Sequence, residues 1–252
     1  MKAISAGLTD VGRKRSHNED SFLIDEELQL FIVADGMGGH AGGGTASRIA
    51  VETVDGVLRK ARGGADTPFV RSANLQDALL PEIFRSAVEQ ACAAIFQEAQ
   101  KQPRLQGMGT TVISLLVQDE YAFFAHVGDS RAYLMRGDLI QQVSEDHSLV
   151  NEQIKAGMIT AEEAKNSRYK NIITRSVGFE PEVQVDVMGV VCQPEDLFLL
   201  CSDGLANLVE DREMLEVVRS SPFEEVPKRL VALANDRGGD DNITVIVVKM
   251  LP

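Results

Sequence analysis

The sequence predicts an α+β fold: an antiparallel β-sandwich flanked by helices on both sides. Three observations carry that expectation. Strand-length apolar runs cluster mid-chain and are joined by short polar turns, Gln118-Asp119-Glu120 and Arg136-Gly137-Asp138, which suit hairpins. Runs with helical periodicity stand before and after them. No strand–helix–strand alternation of the kind that builds a parallel sheet is visible.

In chain order, LQLFIVAD at Leu28–Asp35 reads as an apolar strand, followed by a glycine-rich turn and a helix over Gly44–Arg59. RGGADTPFVRSAN at Arg62–Asn74 is the nearest thing to a linker, and it joins two helices. The second helix spans Leu75–Gln100, with Phe84, Val88, Cys92, Ile95, Phe96 and Ala99 on one face at spacings of three and four. Strands follow at Thr111–Val117, Tyr121–Val127, Arg131–Met135 and Leu139–Val143. Asp146–Ser176 is polar with short helical pieces. Val183–Val190 and Leu197–Cys201 return to strand. Helices at Asp211–Ser220 and Pro222–Asn235 precede a last strand, ITVIVVK, at Ile243–Lys249. The chain reads as one domain over 1–252, because neither flank of the linker is long enough to fold alone.

Composition excludes several classes. Of 252 residues, 38 are Asp or Glu and 25 Lys or Arg, a net charge of −13 that opposes phosphate backbones and anionic lipid headgroups alike. No nucleic acid or membrane partner is therefore expected. No apolar run reaches the roughly 20 residues of a membrane span. The start, MKAISAGLTDVGRKR, lacks the apolar stretch of a secretory signal. Cys92, Cys192 and Cys201 are odd in number and set far apart in apolar runs, which suits buried reduced thiols and a cytoplasmic setting.

Chemistry concentrates in the aspartates. Three apolar runs end on one: FIVAD35, HVG-Asp129 and FLLCS-Asp203. Asp241 stands just before ITVIVV, and Glu19-Asp20 just before SFLI. In an antiparallel sheet the end of one strand lies beside the start of its neighbour, so these acids can gather at one edge. Crowded carboxylates either rise in pKa or bind a cation, and an all-oxygen set suits Mg²⁺ or Mn²⁺ better than zinc. Two such ions held close together activate water and clamp a phosphoryl group. Glycine at 36 lets the backbone carbonyl approach an ion. Taken singly, each aspartate reads as a turn or cap residue. Taken together, against apolar strands, they read as a site. Gly36–Ala41 fits a loose dinucleotide-binding pattern, but Asp35 would repel the pyrophosphate. No Walker A sequence and no EF-hand loop occurs.

Seven motifs then add up to a family. GRKRSHNEDSF at 12–22, VADGMGGHAGG at 33–43, GMGTT at 107–111, HVGDSRAYL at 126–134, SEDHSL at 144–149, LLCSDGL at 199–205 and GGDDNITVIVV at 238–248 occur in order. The chain resembles the metal-dependent protein phosphatases of the 2C type, and among them the short bacterial members that consist of the catalytic domain alone.

The resemblance implies a two-metal centre at one end of the sandwich. Asp35 would bridge both metals and the Gly36 carbonyl would ligate one. Asp203 and Asp241 would ligate the other. Asp20 would hold metal-bound waters, and Asp129 with Asp203 would hold a third, weaker ion. Arg15 would grip the substrate phosphate. Residues 146–178 would form the flap that shapes substrate access. Two Mn²⁺ or Mg²⁺ per chain are implied, with a possible third ion in addition. The implied partners are phosphorylated proteins, a Ser/Thr kinase or its substrates. Some family members use a histidine after the Asp-Gly as general acid. This chain has Met37 there, which leaves His40 or a metal-bound water for the role. His17, His126 and His147 read as hydrogen-bonded supports, His126 being the buried one. A pseudophosphatase that only binds, or a phosphatase of small phosphoesters, are the alternatives.

Overall fold

The computed structural model describes residues 2–38, 42–63 and 79–251. Twelve strands and seven α-helices follow one another in them. The first part comprises β1 (Ala3–Asp10), β2 (Ser21–Asp25), β3 (Leu30–Ala34), β4 (Gly36–Met37), α1 (Gly42–Gly63) and α2 (Leu79–Lys101). Next come β5 (Gly109–Thr110), β6 (Val112–Gln118), β7 (Tyr121–Val127), β8 (Arg131–Arg136) and β9 (Leu139–Gln142). Then follow α3 (Leu149–Lys155), α4 (Ala161–Lys165), β10 (Asp186–Val191) and β11 (Leu197–Cys201). The last elements are α5 (Asp203–Ala206), α6 (Asp211–Ser220), α7 (Val226–Asp236) and β12 (Ile243–Met250).

Two five-stranded antiparallel sheets result, ordered β1-β12-β11-β8-β9 and β10-β7-β6-β3-β2, with β4 and β5 as a small separate pair. Both long sheets are buried on two faces, which explains why their central strands are continuous apolar runs. In β3, Leu30, Ile32 and Ala34 face α1 and α2, while Phe31 and Val33 face the other sheet. In β11, Leu197, Leu199 and Cys201 face α6 and α7, while Phe198 and Leu200 point into the sandwich. Phe124 and Phe198 meet edge to face between the sheets, with ring centres 5.6 Å apart. The order is helices, sheet, sheet, helices, as the strand and helix pattern predicts.

Differences are local. β1 is a full strand that its mixed sequence, AISAGLTD, does not announce: only Ala3 of its eight residues is fully buried. Helix α2 buries Phe84, Val88, Cys92, Ile95 and Ala99 as expected, with Phe96 half-buried at the margin of that face. The Pro222–Asn235 helix begins as a short 3-10 turn at Phe223–Glu225, and its α-helical part starts at Val226. All three cysteines are buried and unpaired. Helix α1 runs on to Gly63, so Arg62 and Gly63 of the expected linker are helical, and the rest of it with the first turn of the Leu75–Gln100 helix lies outside the described residues.

Candidate active site

Strand register brings the acidic turns to one end of the sandwich. Ala34, the last residue of β3, pairs with Ser21, the first of β2, so Asp35 and Asp20 are neighbours. Cys201 at the end of β11 pairs with Val245 near the start of β12, which sets Asp203 against Asp241. Val127 at the end of β7 pairs with Val112 at the start of β6, and Thr111 just before it links two acidic turns. The Thr111 N–H donates to the Asp35 carbonyl at 2.9 Å and its hydroxyl accepts the Asp35 N–H at 2.9 Å. The same hydroxyl lies 2.7 Å from Ser130 Oγ, beside Asp129.

A second set of small polar side chains joins the two sheets. Ser202 and Thr244 hydroxyls both donate to Asp20 Oδ2, at 2.8 and 2.6 Å. Asn242 accepts the Glu19 N–H at 2.8 Å and donates to the carbonyls of Val11 and His17 at 3.0 Å each. Thr111, Ser202, Asn242 and Thr244 are all buried and were not singled out by the sequence reading. Their signal was present: each is a polar residue inside or beside an apolar strand, where an unpaired hydroxyl or amide is costly.

The carboxylates themselves are crowded. Asp20 is buried and Asp35, Asp129, Asp203 and Asp241 are half-buried, and desolvation is the first cause of each shift. Asp35 is raised well above the usual carboxylate range by burial and then by Asp20, Asp203, Asp129 and Asp241. Asp20 rises to about 7 through burial, against the relief given by Thr244 and Ser202. Asp129 rises to about 7 through burial, then Asp203 and Asp146. Asp203 is raised by burial and Asp241. Oδ1 of Asp20 and Oδ1 of Asp203 are buried without a hydrogen-bond partner. The acids neighbour one another without closing into a ligand cage: among the described residues, no three His, Cys, Asp or Glu are set to hold an ion. Asp20 directs one oxygen at hydroxyls, and Asp241 directs one at Arg15.

Arg15 stands at the rim. Its Nη2 is 2.6 Å from Asp241 Oδ2, and its side chain is half exposed. That hydrogen bond, with the fields of Asp35 and Asp203 behind it, raises the guanidinium pKa further. Gly36 is pressed between backbones: a Cβ there would come 2.1 Å from the Gly43 carbonyl oxygen and 2.6 Å from that of Glu19. Only glycine fits, and its carbonyl is thereby fixed beside Asp35. Asp240, next to Asp241, is exposed. His40 lies outside the described residues.

The remaining histidines serve differently. His147 Nδ1 accepts the Gly128 N–H at 3.0 Å, and its Nε2 is 3.0 Å from Asp186. His17 is exposed, with its Nδ1 2.8 Å from the Ser16 hydroxyl. His126 is fully buried, with neither ring nitrogen in a hydrogen bond of good geometry, and lies 4.8 Å from the His147 ring. Burial lowers its pKa to about 4. It is the buried histidine that its strand position predicts, packed as a neutral ring.

Residues 146–178 carry α3 and α4 and are tied back at both ends. Thr174 N–H donates to the His147 carbonyl at 2.8 Å, and Thr110 and Val177 exchange backbone hydrogen bonds of 3.0 and 2.8 Å. A cleft of about 970 Å³ opens between this segment and the α5–α6 region, and both Asp129 and Asp203 line it.

Comparison with known proteins follows the same outline. The Protein phosphatase 2C family profile matches residues 11–245. The chain is 40% identical to the protein phosphatase PhpP of Streptococcus pneumoniae over 247 residues, 96% of each chain. It is 38% identical to the serine/threonine phosphatase stp of Listeria innocua over 245 residues, 96% of this chain and 93% of that one. Among solved structures, the Mycobacterium tuberculosis serine/threonine phosphatase PstP/Ppp superposes over the full length of both chains with a TM-score of 0.89 at 32% identity. The PstP catalytic domain in complex with two manganese ions superposes over 99% of each chain with a TM-score of 0.84, also at 32% identity. With two sheets, an acidic edge and a phosphatase profile spanning nearly its whole length, the chain belongs to the protein phosphatase 2C family of metal-dependent serine/threonine phosphatases.

Proposed function

We propose that the chain hydrolyses phosphoserine and phosphothreonine in proteins at the acidic edge of its sandwich, with Asp35 as the central residue. The observation that carries this is the set of crowded carboxylates whose pKa values are raised, with the Arg15 guanidinium at the rim beside Asp241. Such a set fits divalent cations: the donors are all oxygens, and buried carboxylate oxygens of Asp20 and Asp203 have no other partner. Asp35 would be the shared ligand of the Mn²⁺ or Mg²⁺ ions held there. The Gly36 carbonyl would complete one ligand set, and Asp203 and Asp241 the other. Asp129 with Asp203 would take a third, weaker ion. When bound, the cations make a water nucleophilic at neutral pH and offset charge on the phosphoryl oxygens.

The chain's own residues do the rest. Arg15 brings a permanent charge and a planar donor fork to the phosphate, and without it an anion would meet mainly carboxylates. Its bond to Asp241 keeps the fork aimed along the edge. Asp20, fixed by Ser202 and Thr244, keeps one oxygen free to orient water. Attack on phosphorus in line with the serine or threonine oxygen needs no enzyme nucleophile. Among the chain's own residues, His40 is the candidate to supply the leaving group's proton. Residues 1–252 would act as one catalytic domain, with 146–178 as the flap over the cleft. Its substrates would be a Ser/Thr kinase or the proteins such a kinase phosphorylates. No helix among the described residues is long and apolar enough to cross a membrane, and the three unpaired thiols support work in the cytoplasm.

The test is hydrolysis of p-nitrophenyl phosphate and of a phosphothreonine peptide with Mn²⁺. Activity on both is expected, lost to a chelator and restored by the ion. Activity that survives the chelator would overturn the metal reading, and hydrolysis of the small ester without the peptide would favour a small-molecule phosphatase.

A further inference from the structure

The loop that carries Arg15 presents two more cations, and the structure leaves them unused. Arg13 and Lys14 are exposed, and neither side chain has an ion pair or hydrogen bond among the described residues. Elsewhere Arg131, Arg136, Arg175 and Arg237 are each held by a carboxylate. Asp240 lies on the turn that holds the loop and still does not pair with them.

The loop is not free to wander. The N–H groups of Arg13 and Lys14 both donate to the Gly239 carbonyl, at 2.7 and 3.2 Å. Gly12 has φ +78°, and a Cβ there would come 2.2 Å from the Asp241 carbonyl oxygen. Asn242 clamps the loop at both ends through the carbonyls of Val11 and His17. The backbone of residues 11–17 is therefore locked onto the turn that supplies Asp241. Its two free cations stand at fixed positions beside the phosphate-gripping arginine. Cα atoms one and two residues from Arg15 lie within about 4 and 7 Å of its Cα. An extended peptide advances about 3.4 Å per residue. Side chains as long as those of Arg13 and Lys14 span the distance to groups one to three residues from a phosphate held by Arg15.

We propose that Arg13 and Lys14 form a recognition subsite for an acidic group, a carboxylate or a second phosphate, one to three residues from the scissile phosphoserine or phosphothreonine. The inference rests on the phosphatase reading above and adds a sequence preference to it. Two cations on a pinned loop lose little freedom when an anion binds, and they counter the negative field that the edge presents to any acidic substrate.

The test uses the Mn²⁺-loaded protein and three phosphothreonine peptides of one length: neutral flanks, glutamates at one to three positions on either side, and a second phosphothreonine two residues away. The readout is the kcat/KM of each acidic peptide divided by that of the neutral one. Wild-type ratios above 1 are expected. They should fall roughly threefold to tenfold toward 1 in Arg13→Gln/Lys14→Gln and shrink with added salt. The doubly phosphorylated and glutamate arms distinguish the two sources of the anion. Lys2→Gln/Lys60→Gln removes the same charge far from the acidic edge, about 25 Å along β1 and α1, and should leave the ratios in place. Wild-type ratios of 1, or equal loss in both double variants, would overturn the subsite. Absence of p-nitrophenyl phosphate hydrolysis in the wild type would instead overturn the phosphatase reading beneath it.

Discussion

Two regions use the same residue type in opposite ways. Near the ends of the 146–178 segment, Asp146 and Asp186 each have a cation. Arg131 forks onto Asp146, with Nε 3.0 Å from both oxygens and Nη2 2.6 Å from one. Asp186 sits between His147 at 3.0 Å and Arg175 at 2.9 Å, and these partners hold its pKa below the usual range against the cost of burial. At the acidic edge, Asp20, Asp35, Asp129 and Asp203 have no such partners, and all four are raised. Paired carboxylates brace a structure. Unpaired crowded ones hold unfavourable electrostatic energy, which a cation would relieve at the proposed site.

The contrast is easiest to break at its centre. Asp35→Asn keeps the shape and removes the charge that the other acids surround. It is expected to lower kcat/KM for p-nitrophenyl phosphate by about 10³-fold or more, roughly 4 kcal/mol in the barrier. A loss under tenfold would move the chemistry elsewhere. On the paired side, Arg131→Met strands Asp146. Urea unfolding should register a loss of about 3 kcal/mol, and an unchanged midpoint would mean that the fork carries no stability.

The histidine stack sharpens the flap-root side through pH. The folded ring of His126 titrates at about 4, against 6.5 when unfolded. Between those values the unfolded state binds the extra proton. The contribution is complete above pH 6.5 and disappears as pH falls toward 4. It is on the order of 3 kcal/mol, and His126→Gln should flatten that part of the stability profile.

Cation loading probes the acidic edge without mutation. Mn²⁺ at a hundredfold excess over its dissociation constant should add about 2.7 kcal/mol, or roughly 5–10 °C in Tm by calorimetry. The effect should vanish in Asp35→Asn and persist in Arg131→Met. The smallest expected change is in Arg15→Lys, which keeps the charge and loses the fork. A fall of about 10- to 100-fold in kcat/KM, with Mn²⁺ binding unaltered by calorimetry, marks a phosphate-binding role.

How far the sequence was legible follows from the same physics. Central strands such as β3 and β11 are apolar on both faces and were readable to within two residues. β1 escaped notice because an edge strand with one half-open face carries little periodic signal. The acids Asp20, Asp35, Asp129, Asp203 and Asp241 were visible as charges abutting apolar runs, and their convergence follows from antiparallel pairing. Their supports were not visible. Thr111, Ser202, Asn242 and Thr244 acquire meaning only through contacts up to 231 residues apart, as between Asn242 and Val11. Arg13 and Lys14 resemble any solvated basic turn until the pinning of their backbone is seen.

The strand order has a consequence in time. β12 lies between β1 and β11 in the first sheet, although it is made after both. A ribosome that has not yet delivered it leaves that sheet divided, with Asp20 lacking Thr244, and Arg15 lacking the Asp241 that steadies it across 226 residues of chain. Contacts of such sequence separation form late. A copy without β12 therefore lacks the contacts that hold Asp20 and Arg15 at the proposed site.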